Sequence, residues 1–217
     1  MARFAVIGLG KFGAHVARAL YERGHEVIGV DNDRERVQDL RDHCTRALAT
    51  DCTDPQALRE LGLEECDAVI VSMGERMDAS ILVTLYLREI GVRRIVAKAV
   101  SFDHGKILGL IGATEVVHPE RDTAMRLAVA LGSRSILEYL PLGVGFSLVE
   151  LATPPSFIGR TLGELEIRKQ YHIQVVAVKS GDRLELAPGA GFKIAEGDIL
   201  LVVGRDTDLD AITRLAD

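Results

Sequence analysis

As far as residue 140, apolar residues fall in short, nearly unbroken runs: "FAVIG", "HEVIGV", "RALAT", "DAVIVS", "RIVAKAV" and "EVVHP". Runs of this length, rich in Val, Ile and Ala and without polar alternation, predict strands covered on both faces. Between them the apolar positions widen to helical spacing in "KFGAHVARALYERG", "DRERVQDLRD", "DPQALRELG", "MDASILVTLYLREIG" and "FDHGKILGLIG". Gly24, Gly62, Gly91 and Gly112 close four of these segments, as expected of residues just past a helix end. Strands alternating with helices in this way predict an α/β fold, a Rossmann-like doubly wound parallel sheet. A long helix, "RDTAMRLAVALGSRSILEYL", is expected to lead out of it.

After Pro141 the texture changes. "PLGVG" reads as a hinge, "FSLVELATPPSF" as a strand and turn, and "RTLGELEIRKQY" as a short helix with Leu162 and Leu165 on one face. "IQVVAVKSGDRLELAPG" predicts a hairpin across Ser180, Gly181 and Asp182, and "EGDILLVVG" a last strand before a terminal helix. Two domains are therefore expected: residues 1–140, and a small α/β unit over 141–217.

The first run ends in Gly8-x-Gly10-x-x-Gly13, between a strand and a helix, and Asp31 closes the second strand 23 positions after Gly8. This is the context in which a glycine turn carries a dinucleotide or nucleotide. Gly8 permits the tight turn, Gly10 lets backbone approach a phosphate, and Gly13 lets helix and strand pack closely. The helix N-terminus that begins at Lys11 and Phe12 offers amide donors to the anion. Asp31 is the acceptor for ribose hydroxyls and disfavours a 2′-phosphate, hence NADP. Asn32 and Asp33 follow it, and Asp33 reads equally as a helix N-cap. Asp51 and Cys52 leave the third strand at the same carboxyl edge, either lining an adenine pocket or, for Asp51, capping a loop. Ser72, Met73 and Gly74 leave the fourth strand at the crevice where strand order reverses. Lys98 ends an otherwise apolar strand, which favours a phosphate partner over a merely snorkelling ammonium. Glu120 falls at the start of the long helix, where a carboxylate also suits the helix end.

Composition narrows the classes. Apolar residues make up 47% of the 217, so a substantial core is expected. Aromatics are 5% and Trp is absent, which argues against a stacking platform for single strands. Residues 1–140 hold 18 Lys and Arg against 21 Asp and Glu, and residues 141–217 hold 8 against 11. Neither part has the basic excess that nucleic acid demands. No apolar run is long enough to span a bilayer, so direct membrane insertion is not expected. Cys44, Cys52 and Cys66 lack metal-type spacing and read as reduced thiols of a cytosolic protein.

Taken together, "VIGLGKFG", "HEVIGVD", "DCTD", "DAVIVSMG", "VAKA", "GATEVVHPERD" and the closing "EGDILLVVG" resemble the regulatory subunits of bacterial Ktr- and Trk-type potassium uptake systems, which are built from RCK domains. The likeness runs in order along essentially the whole chain and is nearest to the single-RCK Ktr type. The resemblance implies an N-domain that binds ATP or ADP, or NAD(H), in the cleft described above. Lys11 matches a position where the family often carries Arg, aimed at terminal phosphates. Glu120 matches an acid near the γ-phosphate that helps hold Mg2+ or another cation. The resemblance also implies a C-domain that dimerises and in several members binds cyclic di-AMP; the matching positions here are Arg168, Ile173, Gln174, Val175 and Pro188. A hairpin that simply makes a dimer interface is the alternative. The implied assembly is a homo-oligomer of dimers forming an octameric ring, cytoplasmic and docked under a membrane potassium-translocating subunit.

The expected function is thus a non-enzymatic, ligand-gated regulator. The alternative is a small NAD-dependent oxidoreductase, which the turn and Asp31 permit, but the C-terminal unit offers no evident acid–base constellation and His172 has no obvious partner. A transcriptional sensor ranks below both, because charge balance and motif supply no DNA-binding element.

Overall fold

The computed structural model describes residues 1–216. By its contacts the chain divides into two units, residues 1–119 and the chain from Glu120 onward.

In the first unit, β1 (Arg3–Ile7), β2 (Glu26–Asp31), β3 (Arg46–Ala49), β4 (Ala68–Val71), β5 (Ile95–Lys98) and β6 (Glu115–Val117) form one sheet in the order β3-β2-β1-β4-β5-β6. Every pairing in it is parallel. The order reverses between β1 and β4, which opens a crevice at the carboxyl edge. Alternate residues of each strand feed two cores. Ala5, Ile7, Ile28, Val30, Val69 and Val71 pack on Leu58 of α3 (Pro55–Arg59), Val83 and Leu87 of α4 (Met77–Glu89) and Leu108 of α5 (Phe102–Ile111). Val6, Val27 and Ile70 pack on the other face with Ala17 of α1 (Lys11–Glu22) and Leu40 of α2 (Arg34–Leu40). Burial on both faces is why these strands read as unbroken apolar runs. Gly24, Gly62, Gly91 and Gly112 all have positive φ, as their position after helical segments predicts.

The second unit begins with α6 (Pro119–Gly132), which straddles the division between the units. Its sheet is antiparallel: β7 (Ile136–Gly143), β8 (Phe146–Ala152), β9 (Gln174–Ser180), β10 (Arg183–Leu186) and β11 (Ile199–Arg205), ordered β10-β9-β11-β8-β7. Val149, Leu151, Leu200 and Val202 alternate inward onto Leu165, Ile167, Leu209 and Ile212, which come from α7 (Leu162–Leu165), α8 (Ile167–Tyr171) and α9 (Asp206–Ala216). The hairpin across Gly181 is present, with Arg183 opposite Ser180.

Two expectations are corrected. The helix expected to run to Leu140 stops at Gly132, and Ile136–Gly143 is a strand paired with β8, Ile136 opposite Leu151 and Tyr139 opposite Val149. Ser133 ends the helix by offering its hydroxyl oxygen to the amides of Ser135 (3.2 Å) and Ile136 (3.3 Å). The sheet of the second unit therefore takes residues from both sides of the boundary expected at 140. The helix expected over "RTLGELEIRKQY" is broken in two, because Glu166 adopts a left-handed conformation at φ 42°. Its first part starts on a capping box between Thr161 and Glu164.

Candidate nucleotide-binding site

The turn after β1 is shaped by what glycine allows. Gly8 has φ +91°, and a Cβ there would lie 2.5 Å from the Ser72 carbonyl oxygen. A Cβ on Gly13 would overlap the Gly8 carbonyl oxygen and crowd Ser72 Cβ at 3.3 Å. Both positions are glycine because β1, β4 and α1 meet there. Gly10 is different: nothing lies within 4 Å of the place its Cβ would take. No protein packing requires glycine at that point, and the open space beside the backbone is what a close-approaching phosphate needs. Gly10 is also the N-cap of α1 and offers no side-chain bond, and α1 has no acid in its first turn. The first amides of a twelve-residue helix thus face the crevice edge without a capping side chain. Lys11 stands exposed on that first turn and Phe12 is half-buried beside it.

Asp31 holds this turn in place. Its side chain is only 5% exposed. The Leu9 amide donates to Oδ2 at 2.6 Å and the Asp33 amide donates to Oδ1 at 2.9 Å. The Gly8 amide adds a backbone bond to Val30 O at 2.8 Å. An ionised carboxylate has about four acceptor positions, so two backbone bonds leave capacity for sugar hydroxyls. Asn32 is exposed next to it. Asp33 caps α2, accepting from the Glu35 amide at 2.9 Å, which is the helix-cap reading of that residue. Sequence reasoning missed Arg36, whose guanidinium lies 3.6 Å from Asp31 Oδ2 and 3.4 Å from Asp33 Oδ2. Its position three residues beyond Asp33 on a helix was the available signal.

At the end of β3, Asp51 folds back on its own loop: Oδ1 accepts from the Thr53 hydroxyl (2.7 Å) and the Thr53 amide (3.0 Å). Those bonds, with Arg76 nearby, hold its carboxyl below the usual range. Cys52 points into the core, and burial, with the charges of Asp51 and Asp31, pushes its thiol up to about 12. The loop-capping reading thus describes Asp51, and Cys52 can border a ligand only through its backbone. Across the crevice Ser72 is buried, its amide bonded to Ile7 O at 2.7 Å. Met73 packs partly on the core. Gly74 gives room to Lys98, whose Nζ would be 3.2 Å from a Cβ there and sits 5.8 Å from the centre of the Phe12 ring. The turn, Asp31, the start of β4–α4 and Lys98 therefore converge on one crevice.

On α5, His104 is fully buried. The Val100 amide donates to its Nδ1 at 3.3 Å, which puts the proton on Nε2, facing Ser80 Oγ at 2.8 Å. Burial, then the neighbouring His118, lowers its pKa.

Glu120 is exposed on the first turn of α6. Among the described residues no group of three or more His, Cys, Asp or Glu side chains is placed to hold a metal. In the second unit, Arg168 is exposed on α8, Gln174 turns outward with its Nε2 on Val175 O (2.9 Å), and Pro188 is half-buried. Ile173 and Val175 are core residues, 1% and 7% exposed, so any ligand contact by them is through main chain. No helix among the described residues is long and apolar enough to cross a membrane.

The geometry defines a class: a Rossmann-like module with an open glycine turn and a buried, anchored acid at the end of its second strand, joined to a small antiparallel domain. Residues 4–119 match the TrkA-N domain and residues 146–217 the TrkA-C domain, and the chain belongs to this family of two-domain proteins. It is 44% identical over 211 residues to the Ktr system potassium uptake protein C of Bacillus subtilis (strain 168), covering 97% of this chain and 96% of that one. It is 35% identical to the Ktr system potassium uptake protein A of Vibrio alginolyticus, covering 93% and 92%. Among solved structures, the GsuK channel matches over 99% of this chain with a TM-score of 0.73 at 21% identity. The chain spans 39% of that channel's length. GsuK bound to NAD gives a TM-score of 0.69 at 22% identity, again over 39% of that chain. These structures share the fold.

Proposed function

We propose that this protein is a nucleotide-sensing regulatory subunit that gates a membrane potassium transporter, not an NAD-dependent oxidoreductase. One observation carries the reading: Gly10 opens onto free space at the uncapped start of α1, and the neighbouring Leu9 amide ties the same turn to the carboxylate of Asp31. That arrangement suits an adenosine nucleotide, ribose at Asp31 and phosphates at the helix start. The Ktr relatives are potassium uptake proteins, and GsuK structures are described with NAD and with ADP. The pairing of the two domains over nearly the whole length of the Ktr relatives supports regulation over hydride transfer.

When bound, ATP or ADP supplies binding free energy that differs between conformations, and only that difference can move an attached channel. Lys11 and Lys98 would meet the phosphates, and Glu120 would share Mg2+ or another cation with the terminal phosphate. The second unit would pair subunits, dimers building a ring beneath the membrane subunit, with cyclic di-AMP at the dimer contact as a second effector. The test is thermal stabilisation of the full chain by ATP, ADP, NADH and cyclic di-AMP in parallel, with Asp31→Ala as control. Stabilisation by ATP and ADP that the variant loses supports the reading. A folded wild type that responds to no nucleotide overturns it.

A further inference from the structure

Arg36 is half-exposed, and an ion pair so open to solvent contributes little to stability. Its placement is nevertheless specific. It bridges Asp31 Oδ2 at 3.6 Å through Nη1 and Asp33 Oδ2 at 3.4 Å through Nε. The Asp31 carboxylate that it faces is fixed in plane by one backbone donor on each oxygen, Leu9 on Oδ2 and Asp33 on Oδ1. Asp51 adds a third carboxylate at this edge, one residue beyond Thr50, whose amide donates to the Asp31 carbonyl at 2.9 Å. The sugar end of the site is therefore acidic, while any nucleotide entering it is itself an anion. Arg36 is the cation paired with two of these carboxylates, and its planar fork suits that bridge where a lysine would not.

Resting on the nucleotide reading above, we propose that Arg36 is a positioning residue that offsets the acidic edge and holds Asp31 for recognition of the ribose hydroxyls. It acts on the sugar and not on the phosphates. One consequence separates it from a surface charge: its loss erodes discrimination against a sugar lacking the 2′-hydroxyl.

The experiment is equilibrium titration of the full chain with ADP and 2′-deoxy-ADP, for the wild type, Arg36→Ala, Arg36→Lys and Asp31→Ala. The wild type is expected to prefer ADP by about ten-fold, the value of one hydrogen bond to a charged acceptor. Arg36→Ala, with a melting temperature near that of the wild type, is expected to bind ADP several-fold more weakly and to keep about three-fold preference or less. Arg36→Lys keeps the charge without the fork and falls between them. An Arg36→Ala protein with the full wild-type preference overturns the proposal and leaves the nucleotide site standing. A wild type that binds neither ligand, or an Asp31→Ala variant that binds both as the wild type does, overturns the site itself and the role of Arg36 with it.

Discussion

Asp31→Ala removes a buried carboxylate whose bonds join β2 to the glycine turn. The Leu9 amide loses a 2.6 Å charged acceptor in a buried setting, which costs about 1–3 kcal/mol. The Asp33 amide, partly buried, loses a 2.9 Å bond, about 1 kcal/mol. The Arg36 pair adds roughly 0–1 kcal/mol, being open to solvent. The expected loss is about 2–5 kcal/mol for the first unit, a fall in its melting temperature of roughly 10–20 °C. Urea unfolding followed by far-ultraviolet circular dichroism checks it, with Asp51→Ala as the matched control. The Asp51 side chain bonds to Thr53 within its own exposed loop, so that variant is expected to lose less than about 1 kcal/mol. If Asp31→Ala unfolds within about 0.5 kcal/mol of the wild type at unchanged slope, the keystone role of this carboxylate is wrong.

Gly13→Ala drives a methyl into the Gly8 carbonyl, so although alanine suits a helix better, the variant is expected to lose about 1–3 kcal/mol and most of its nucleotide affinity. Gly10→Ala, with open space around it, is expected to keep its melting temperature while weakening phosphate binding; calorimetry and titration separate the two. His104 is held neutral in the fold, its pKa below the unfolded value near 6.5. The unfolded chain therefore takes up a proton first as pH falls. Stability is full above about pH 6.5 and declines below it, by at most about 1.4 kcal/mol per pH unit until the folded pKa is passed. Unfolding at pH 7.5 and 5.5 is expected to show a steeper decline in the wild type than in His104→Gln. Native protein is expected to expose none of its three thiols to a thiol reagent, since all are buried and burial raises each pKa. Reaction of Cys52 in the native state, at a rate approaching that of the unfolded chain, would contradict its placement in the core.

The first unit was legible in the sequence because both of its signals are local. Strands buried on two faces show as apolar runs, and the glycine turn with Asp31 lies within 24 consecutive residues. What stayed hidden was set by pairing at a distance. Ala124, Leu127, Ala128 and Leu131 carry a helical period on toward "SILEYL", yet the ladder that draws Ile136–Gly143 onto β8 outweighs it. Glu166 gave no warning of a helix break, because a left-handed glutamate is a product of packing and not of propensity. Arg36 escaped for a different reason: charged helix faces are ordinary, and only the placement of Asp31 singles it out. Ile173 and Val175 show the converse, since alternation from Ile173 into the start of β9 buries both and turns Gln174 outward.

The central claim is tested most directly by potassium flux through proteoliposomes that hold a Ktr-type membrane subunit together with this protein, under ATP and then under ADP. The account predicts that the flux depends on this protein and changes when one nucleotide replaces the other, with Asp31→Ala abolishing the change. Flux indifferent to both nucleotides, with the assembled complex intact, would contradict it.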